Sequence, residues 1–400
     1  MLADALRRPG TVLLDGPRPD ADSGRRGARL FRDPDRALQA DAYAQVGPLL
    51  AALDAALADG RHVAGFLSYE AGYALEPRRF PEPPPPAPGV PLGWFGVYGA
   101  PEEVTTDAVA EALPAGPVAL GEPRLAVAEA DYLASVERVR AHIRAGDVYQ
   151  VNRTAPIWAE TDADALALYA ALRRRQRVAY GAFVQLDGLA VASVSPELFF
   201  RVDGPTITAR PMKGTAPRGA TPGADAALAR ALEDSPKDRA ENLMIVDLLR
   251  NDLARVAEPG SVRVPALFET ERFETVTQMT STVSARLRPG VGLAETVRAL
   301  FPCGSVTGAP KLRAMETIRE IESGPRGVYC GAIGSASPSG GGFEAAFSVP
   351  IRTAVVQGGR VRYDVGSGVV WDSDPAAEYA ECLLKARVLT DLARPEPDPA

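Results

Sequence analysis

The sequence predicts an α+β fold in which a mixed or antiparallel sheet is packed by helices. Apolar strand-like runs follow one another directly, at 182–185 and 190–194 around Asp187-Gly188 and again at 345–356 and 360–370. Helical periodicity falls between some of these runs only, unlike the strict alternation of a doubly wound parallel sheet. The 400 residues, 46% of them hydrophobic, are ample for a buried core.

In chain order, 43–59 reads as a helix and 62–69 as a strand. Residues 81–91 hold the run EPPPPAPG, whose prolines lack N–H donors, so this stretch is an exposed loop; a strand resumes over 92–98. Leu133, Val136, Val139 and Ile143 recur at helical spacing, which predicts a helix over 131–145 capped by Asp131 and ended by Gly146. A strand over 148–158 and helices over 163–174, 224–232, 239–251, 293–300 and 310–322 follow, and residues 393–400 are expected to fray.

A formal charge of -7 gives no field that would draw nucleic acid or an acidic membrane, so a small-molecule substrate fits better. No uninterrupted apolar stretch reaches the roughly 18 residues of a membrane span, and the first ten residues lack a signal-like run, so a cytoplasmic protein is expected. Cys303, Cys330 and Cys382 form no C-x-x-C pair and are expected as buried small apolar residues, without disulfide or zinc.

Of 44 basic residues only Lys213, Lys237, Lys311 and Lys385 are lysine. Arginine serves wherever a solvated charge is enough; a lysine can lose its proton and act as nucleophile or base. With only His62 and His142 present, proton transfer falls to carboxylates and lysine.

Five segments offer chemistry. Asp238 and Glu241, and again Glu378 and Glu381, stand three apart on helical stretches, so each pair shares a face. Four such oxygen donors suit Mg²⁺, although acidic residues in a first turn are equally ordinary dipole partners. Glu197 and Lys213 lie on two apparent strands joined through Asp203-Gly204, where an acid and an amine could face one site; a surface turn lysine is the other reading. CGSVTGAPK at 303–311 precedes a helix and offers an anion-binding N-terminus, but lacks the phosphate-loop spacing. VGSGVV at 365–370 reads either as a turn whose amides hold a carboxylate or as a strand bulge.

In order and wording, GDVYQVNRT, SPELFF, RPMKGTAPRG, AENLMIVDLLRNDL, TSTV, GSVTGAPKLRAMETI, RGVYCGAIG and DSDPAAEYAE resemble the chorismate-utilising enzymes, over roughly residues 131–389. The resemblance implies a fold of two layered, mostly antiparallel sheets flanked by helices. Residues 1–120, including the proline-rich loop 81–91, would belong to the same unit as the chorismate-binding region 121–392. It further implies that Glu241 and Glu378 hold Mg²⁺ with Glu381 and Asp238 assisting, and that Arg352 takes the enolpyruvyl carboxylate beside Tyr329, Gly366, Ser367 and Gly368. Thr307 would lie near the ring, and Glu197 would act as general acid on the departing C4 hydroxyl.

Lys213 marks the branch. Members that form anthranilate carry alanine there, whereas a lysine in this motif implies attack on C2 and replacement by ammonia at C4, giving 4-amino-4-deoxychorismate. Gln150 stands where members that add water carry a lysine, which favours ammonia. The chain offers no Cys–His pair in a nucleophile setting, so the ammonia is expected from a separate glutamine amidotransferase subunit. The alternatives are anthranilate formation and a non-catalytic binding subunit of the same fold. Gln278 replaces a histidine of many members, and TVLLDGP lacks the wording of the tryptophan-binding segment in relatives.

Overall fold

The structure is a computed structural model that describes residues 2–20, 24, 26–273 and 276–393; the tail from 394 onward lies outside the described residues. Two ten-stranded sheets, antiparallel at every described pairing, form its centre. In the first, the order is Gly308–Ala309, Gln150–Glu160, Arg360–Val369, Thr353–Gln357, Leu189–Ser195, Tyr180–Gln185, Thr11–Gly16, Gly27–Phe31 and Glu102–Val104, with Arg124–Leu125 also pairing Gln150–Glu160. In the second it is Met212–Pro217, Val276–Arg286, Thr206–Arg210, Leu198–Asp203, Gly342–Ser348, Ala332–Ser339, His62–Leu67, Gly93–Tyr98 and Arg36–Ala40, with Arg263–Arg272 beside Val276–Arg286. Strands from the first 120 residues thus enter both sheets.

Side chains alternate across each strand, and the two faces have different partners. Val12, Val184 and Val191 of the first sheet meet Phe66, Trp94 and Ile333 of the second in one buried layer. The opposite faces pack on helices: Ala165–Arg175 lies on Leu189–Ser195, and Pro375–Thr390 lies on Arg360–Val369 beside Glu129–Arg144. No helix among the described residues is long and apolar enough to cross a membrane.

Three local expectations change. The run 345–356 divides into Gly342–Ser348 and Thr353–Gln357, because Pro350 cannot donate to a ladder and Arg352 turns the chain at φ 52°. Asp131 is not the cap: the helix starts at Glu129 after Ala128, and Asp131 lies in its first turn. Gly366 to Gly368 form neither turn nor bulge but continue the strand Arg360–Val369, paired with Arg153, Thr154 and Asn152. A Cβ on Gly366 would stand 2.6 Å from the Arg153 carbonyl oxygen, so the glycine permits close strand approach. The three cysteines are free and buried, as expected.

Gly65 and Gly334 face one another at the centre of the second sheet. A Cβ on Gly334 would fall 2.1 Å from the Ala346 carbonyl oxygen, and one on Gly65 would fall 2.0 Å from that of Trp94. Gly334→Ala should therefore cost about 2 kcal/mol or more in urea unfolding, while Gly340→Ala, with open space around it, should stay within about 0.5 kcal/mol of the parent.

Candidate active site

Two capped helices fix the carboxylates. Ser235 caps Pro236–Ala254 by accepting from the Asp238 N–H at 3.3 Å, and Asp374 caps Pro375–Thr390 by accepting from the Ala377 N–H at 2.8 Å; each helix begins with proline, whose missing N–H is harmless there. Asp238 and Glu378 consequently sit in first turns, with Glu241 and Glu381 one turn further on. Asp238 also lies against the strand of Lys213, since a Cβ on Gly214 would be 3.1 Å from its Cβ.

Lys213 is carried by Met212–Pro217, which pairs with Val276–Arg286 and not with the hairpin of Leu198–Asp203 and Thr206–Arg210. Glu197 precedes that hairpin, and Leu198 pairs with Arg210, so acid and amine still emerge at the same end. The Lys213 Nζ hydrogen-bonds the Asn152 Oδ1 at 3.4 Å. It also stands 3.0 Å from where a Cβ on Gly368 would be, with the Gln150 Nε2 and Asn152 Oδ1 at 2.7 and 3.1 Å from the same point.

From Asn152 the contacts run on to the acid. Its Nδ2 donates to the Ser305 carbonyl at 3.1 Å, and the Ser305 hydroxyl donates to the Glu197 Oε1 at 2.5 Å. Sequence reasoning passed over Asn152 and Ser305. Asn152 was accessible, because residues two apart on a strand share a face and Gln150 was already singled out. Lys385 was also missed: its Nζ donates to the Gly366 carbonyl at 2.9 Å and pairs with Glu381 at 2.6 Å.

Burial is the main influence on the charges. It pushes the Glu197 carboxyl up to about 7 against the opposing pull of Ser305 and Lys213, so near neutrality it can still hold a proton. It lowers the Lys213 amine, opposed by Glu241 and assisted by Lys385. Glu241 is raised by burial, with Lys213 and Lys237 opposing and Asp238 and Glu378 adding to the rise.

The carboxylates can be tested against a divalent cation. Glu378 accepts from Ser373 through Oε1 at 2.7 Å, while its buried Oε2 has no hydrogen-bond partner. An orphaned carboxylate oxygen beside Glu241 fits a cation. Among the described residues no group of three or more metal-ligating side chains is gathered, and Glu381 is occupied by Lys385. Glu241 with Glu378 fits Mg²⁺, which commonly takes one or two carboxylates and completes its shell with water and an anionic substrate.

The remaining candidates divide. The Arg352 Nη1 is buried without a partner, and electrostatic influence from Tyr329, Tyr363 and Glu197 places these three around the guanidinium. It has no carboxylate hydrogen-bonded to it among the described residues and is free to take one. The Gln150 Oε1 is likewise a buried acceptor without a donor. Thr307 is fully buried, with its hydroxyl donating to the Cys303 carbonyl at 3.0 Å. The Ser367 side chain faces away from the Gly366 and Gly368 side and meets the Tyr132 hydroxyl at 3.1 Å, so only its backbone remains on the site. The Gln278 Oε1 is buried and unpartnered. Asp15, in the segment compared with a tryptophan site, already accepts from Tyr169 at 2.9 Å and pairs with Arg173.

The raised Glu197 has a measurable consequence. Its folded carboxyl holds a proton up to about 7 against an ordinary 4.5, so the folded chain binds more protons between those values. The stability this group contributes is complete below about 4.5 and is lost as pH rises through about 7. Glu197→Gln should therefore gain on the parent as pH goes from about 5 to 8, by up to about 3 kcal/mol in urea unfolding.

Residues 17–391 match the family model for chorismate binding enzymes. The chain is 48% identical over 294 residues to an aminodeoxychorismate synthase of Streptomyces griseus, covering 72% of this chain and 40% of that protein. It is 46% identical over 263 residues to an aminodeoxychorismate synthase component 1 of Klebsiella aerogenes, covering 66% and 58%. It thus spans about two fifths to three fifths of the length of these relatives. The crystal structure of anthranilate synthase component I from Streptococcus pneumoniae superimposes with a TM-score of 0.73 at 26% identity, covering 97% of this chain and 91% of that one. With nearly its whole length matched by the family model and the two-sheet fold shared, the chain belongs to the chorismate binding enzyme family.

Proposed function

We propose that the chain is a cytoplasmic aminodeoxychorismate synthase component, converting chorismate and ammonia to 4-amino-4-deoxychorismate and water through a covalent bond to Lys213. The observation that carries this reading is the Lys213 amine, held over Gly368 within a partly buried cluster and linked through Asn152 and Ser305 to a carboxyl that keeps its proton near neutrality. The names of the similar proteins support it.

In this reading chorismate lies over Gly366 and Gly368, with its enolpyruvyl carboxylate on the unpartnered Arg352. Glu241 and Glu378 would hold Mg²⁺, with Glu381 and Asp238 assisting directly or through water. The ion supplies positive charge for the ring carboxylate. The neutral Lys213 amine forms a bond to C2 as both ring double bonds shift, C1=C2 to C1=C6 and C5=C6 to C4=C5, and the C4–O bond breaks. Glu197 delivers its proton to the departing hydroxyl, which leaves as water. Ammonia then bonds to C4, both double bonds shift back, the C2–N bond breaks to return the neutral amine of Lys213, and the new C4 ammonium gives a proton back to Glu197. Gln150, whose Oε1 lacks a donor, accepts an N–H from the incoming ammonia. A separate glutamine amidotransferase subunit supplies that ammonia.

The test is product analysis by chromatography and mass, with purified chain, chorismate, Mg²⁺ and ammonium. Aminodeoxychorismate is expected from the parent. Glu197→Gln should lower kcat by about 10²- to 10⁴-fold, and Lys213→Ala should abolish the product or divert it to anthranilate. Anthranilate from the parent would refute the C4 reading, and absence of turnover even with a glutaminase partner would favour a binding subunit.

A further inference from the structure

A cavity of about 540 Å³ is lined by none of the catalytic candidates above. Its floor is the first sheet, where Trp158 pairs directly with Arg362 across the strands. The same face of the strand carries Gln150 and Asn152 toward the catalytic cluster, so cavity and cluster lie at two ends of one strand. Six residues separate Asn152 from Trp158, about 20 Å at roughly 3.3 Å per residue.

The cavity wall is chemically selective. Four arginines and only two carboxylates line it. Of these, Arg326 is taken up by Glu322 at 2.7 Å, and Arg362 by Asp364 at 2.7 Å. Arg153 donates to Ser135 at 2.7 Å and lies over the Tyr132 ring, while Arg360 pairs at 3.4 Å with Glu160, an acid that is 78% exposed and outside the lining. The Arg360 and Arg362 guanidinium groups stand 4.6 and 5.6 Å from the Trp158 ring centroid. Pro88 and Val90, together with Val355 beside Arg362 on the sheet, supply apolar surface. The excess of arginine over carboxylate in the lining, beside this apolar surface, describes a receptor for a small ring carrying a carboxylate.

The partition between the two chambers is the Glu322–Arg326 pair. Arg326 donates to the Asn152 carbonyl at 2.7 Å and to the Val306 carbonyl at 2.8 Å, while Glu322 accepts from the Thr154 N–H at 2.8 Å. Asn152 holds the Lys213 amine, and Val306 follows the serine that holds Glu197. We propose that the cavity is a second ligand site for a monocyclic carboxylate, bound between Arg360 and Arg362 with its ring against Pro88 and Val355, and coupled to catalysis through this ion pair. The binding claim is independent of which reaction Lys213 performs.

Benzoate titrated calorimetrically into the full chain, with inorganic phosphate in parallel, tests the site. Saturable one-to-one benzoate binding is expected, equal in the parent and in Lys213→Ala and Arg352→Ala, and at least about tenfold weaker in Arg360→Glu. Phosphate should bind at least about tenfold more weakly than benzoate. Arg360 is half exposed at the rim, so its replacement leaves the fold intact, which circular dichroism checks. Turnover of chorismate, whatever the product, should change with benzoate at saturating chorismate and with the same half-effect concentration. Absence of binding, or binding lost in Arg352→Ala and kept in Arg360→Glu, overturns the site. Equal binding of phosphate overturns the ligand class, and binding without any effect on turnover overturns the coupling. None of these outcomes alters the product analysis that judges the Lys213 reading.

Discussion

The approach of the Lys213 amine to the backbone of Gly368 is the contact on which the rest of the site depends. An amine brought there needs a strand with no side chain at that point, and the sequence provides it in the middle of a regular ladder. It needs a polar neighbour that does not fix it as an ammonium; the Asn152 amide oxygen at 3.4 Å is such a partner, a weak acceptor rather than a carboxylate. Burial and Lys385 then favour the neutral form. Arginine could not fill the position, since its guanidinium neither sheds its proton nor fits over Gly368.

The same burial acts in the opposite sense on Glu197. In the proposed reaction the carboxyl raised to about 7 is the proton donor and the amine lowered from its ordinary value is the nucleophile. Ser305 and Asn152 fix their separation through hydrogen bonds from two further strands and loops. Four segments distant in sequence thus meet at one end of the two sheets. The buried groups lacking partners, Nη1 of Arg352 and Oε2 of Glu378, are where, in the proposed reading, an anion and a cation would complete the arrangement.

Much of this was legible in the chain. Both carboxylate pairs fall on helices as expected, although the helix expected over 239–251 runs from Pro236 to Ala254, and the scarcity of lysine drew attention to Lys213. What escaped had physical reasons. Gly366 and Gly368 read as a turn because local chemistry cannot reveal that a neighbouring strand and an amine press against a straight one. The break at Pro350 to Arg352 was hidden inside an apolar run. Ser367 carried a suitable hydroxyl, but strand parity turns it toward Tyr132. The Glu322–Arg326 partition was invisible because its meaning lies in the carbonyls of Asn152 and Val306, which are remote in sequence.

The most direct test of the central claim is mass spectrometry of the intact chain after incubation with chorismate and Mg²⁺ without ammonia, followed by peptide mapping. An adduct on Lys213, heavier by one chorismate less one water and discharged on adding ammonium, is the result this account predicts. Unmodified Lys213 in a preparation that still aminates chorismate would contradict it.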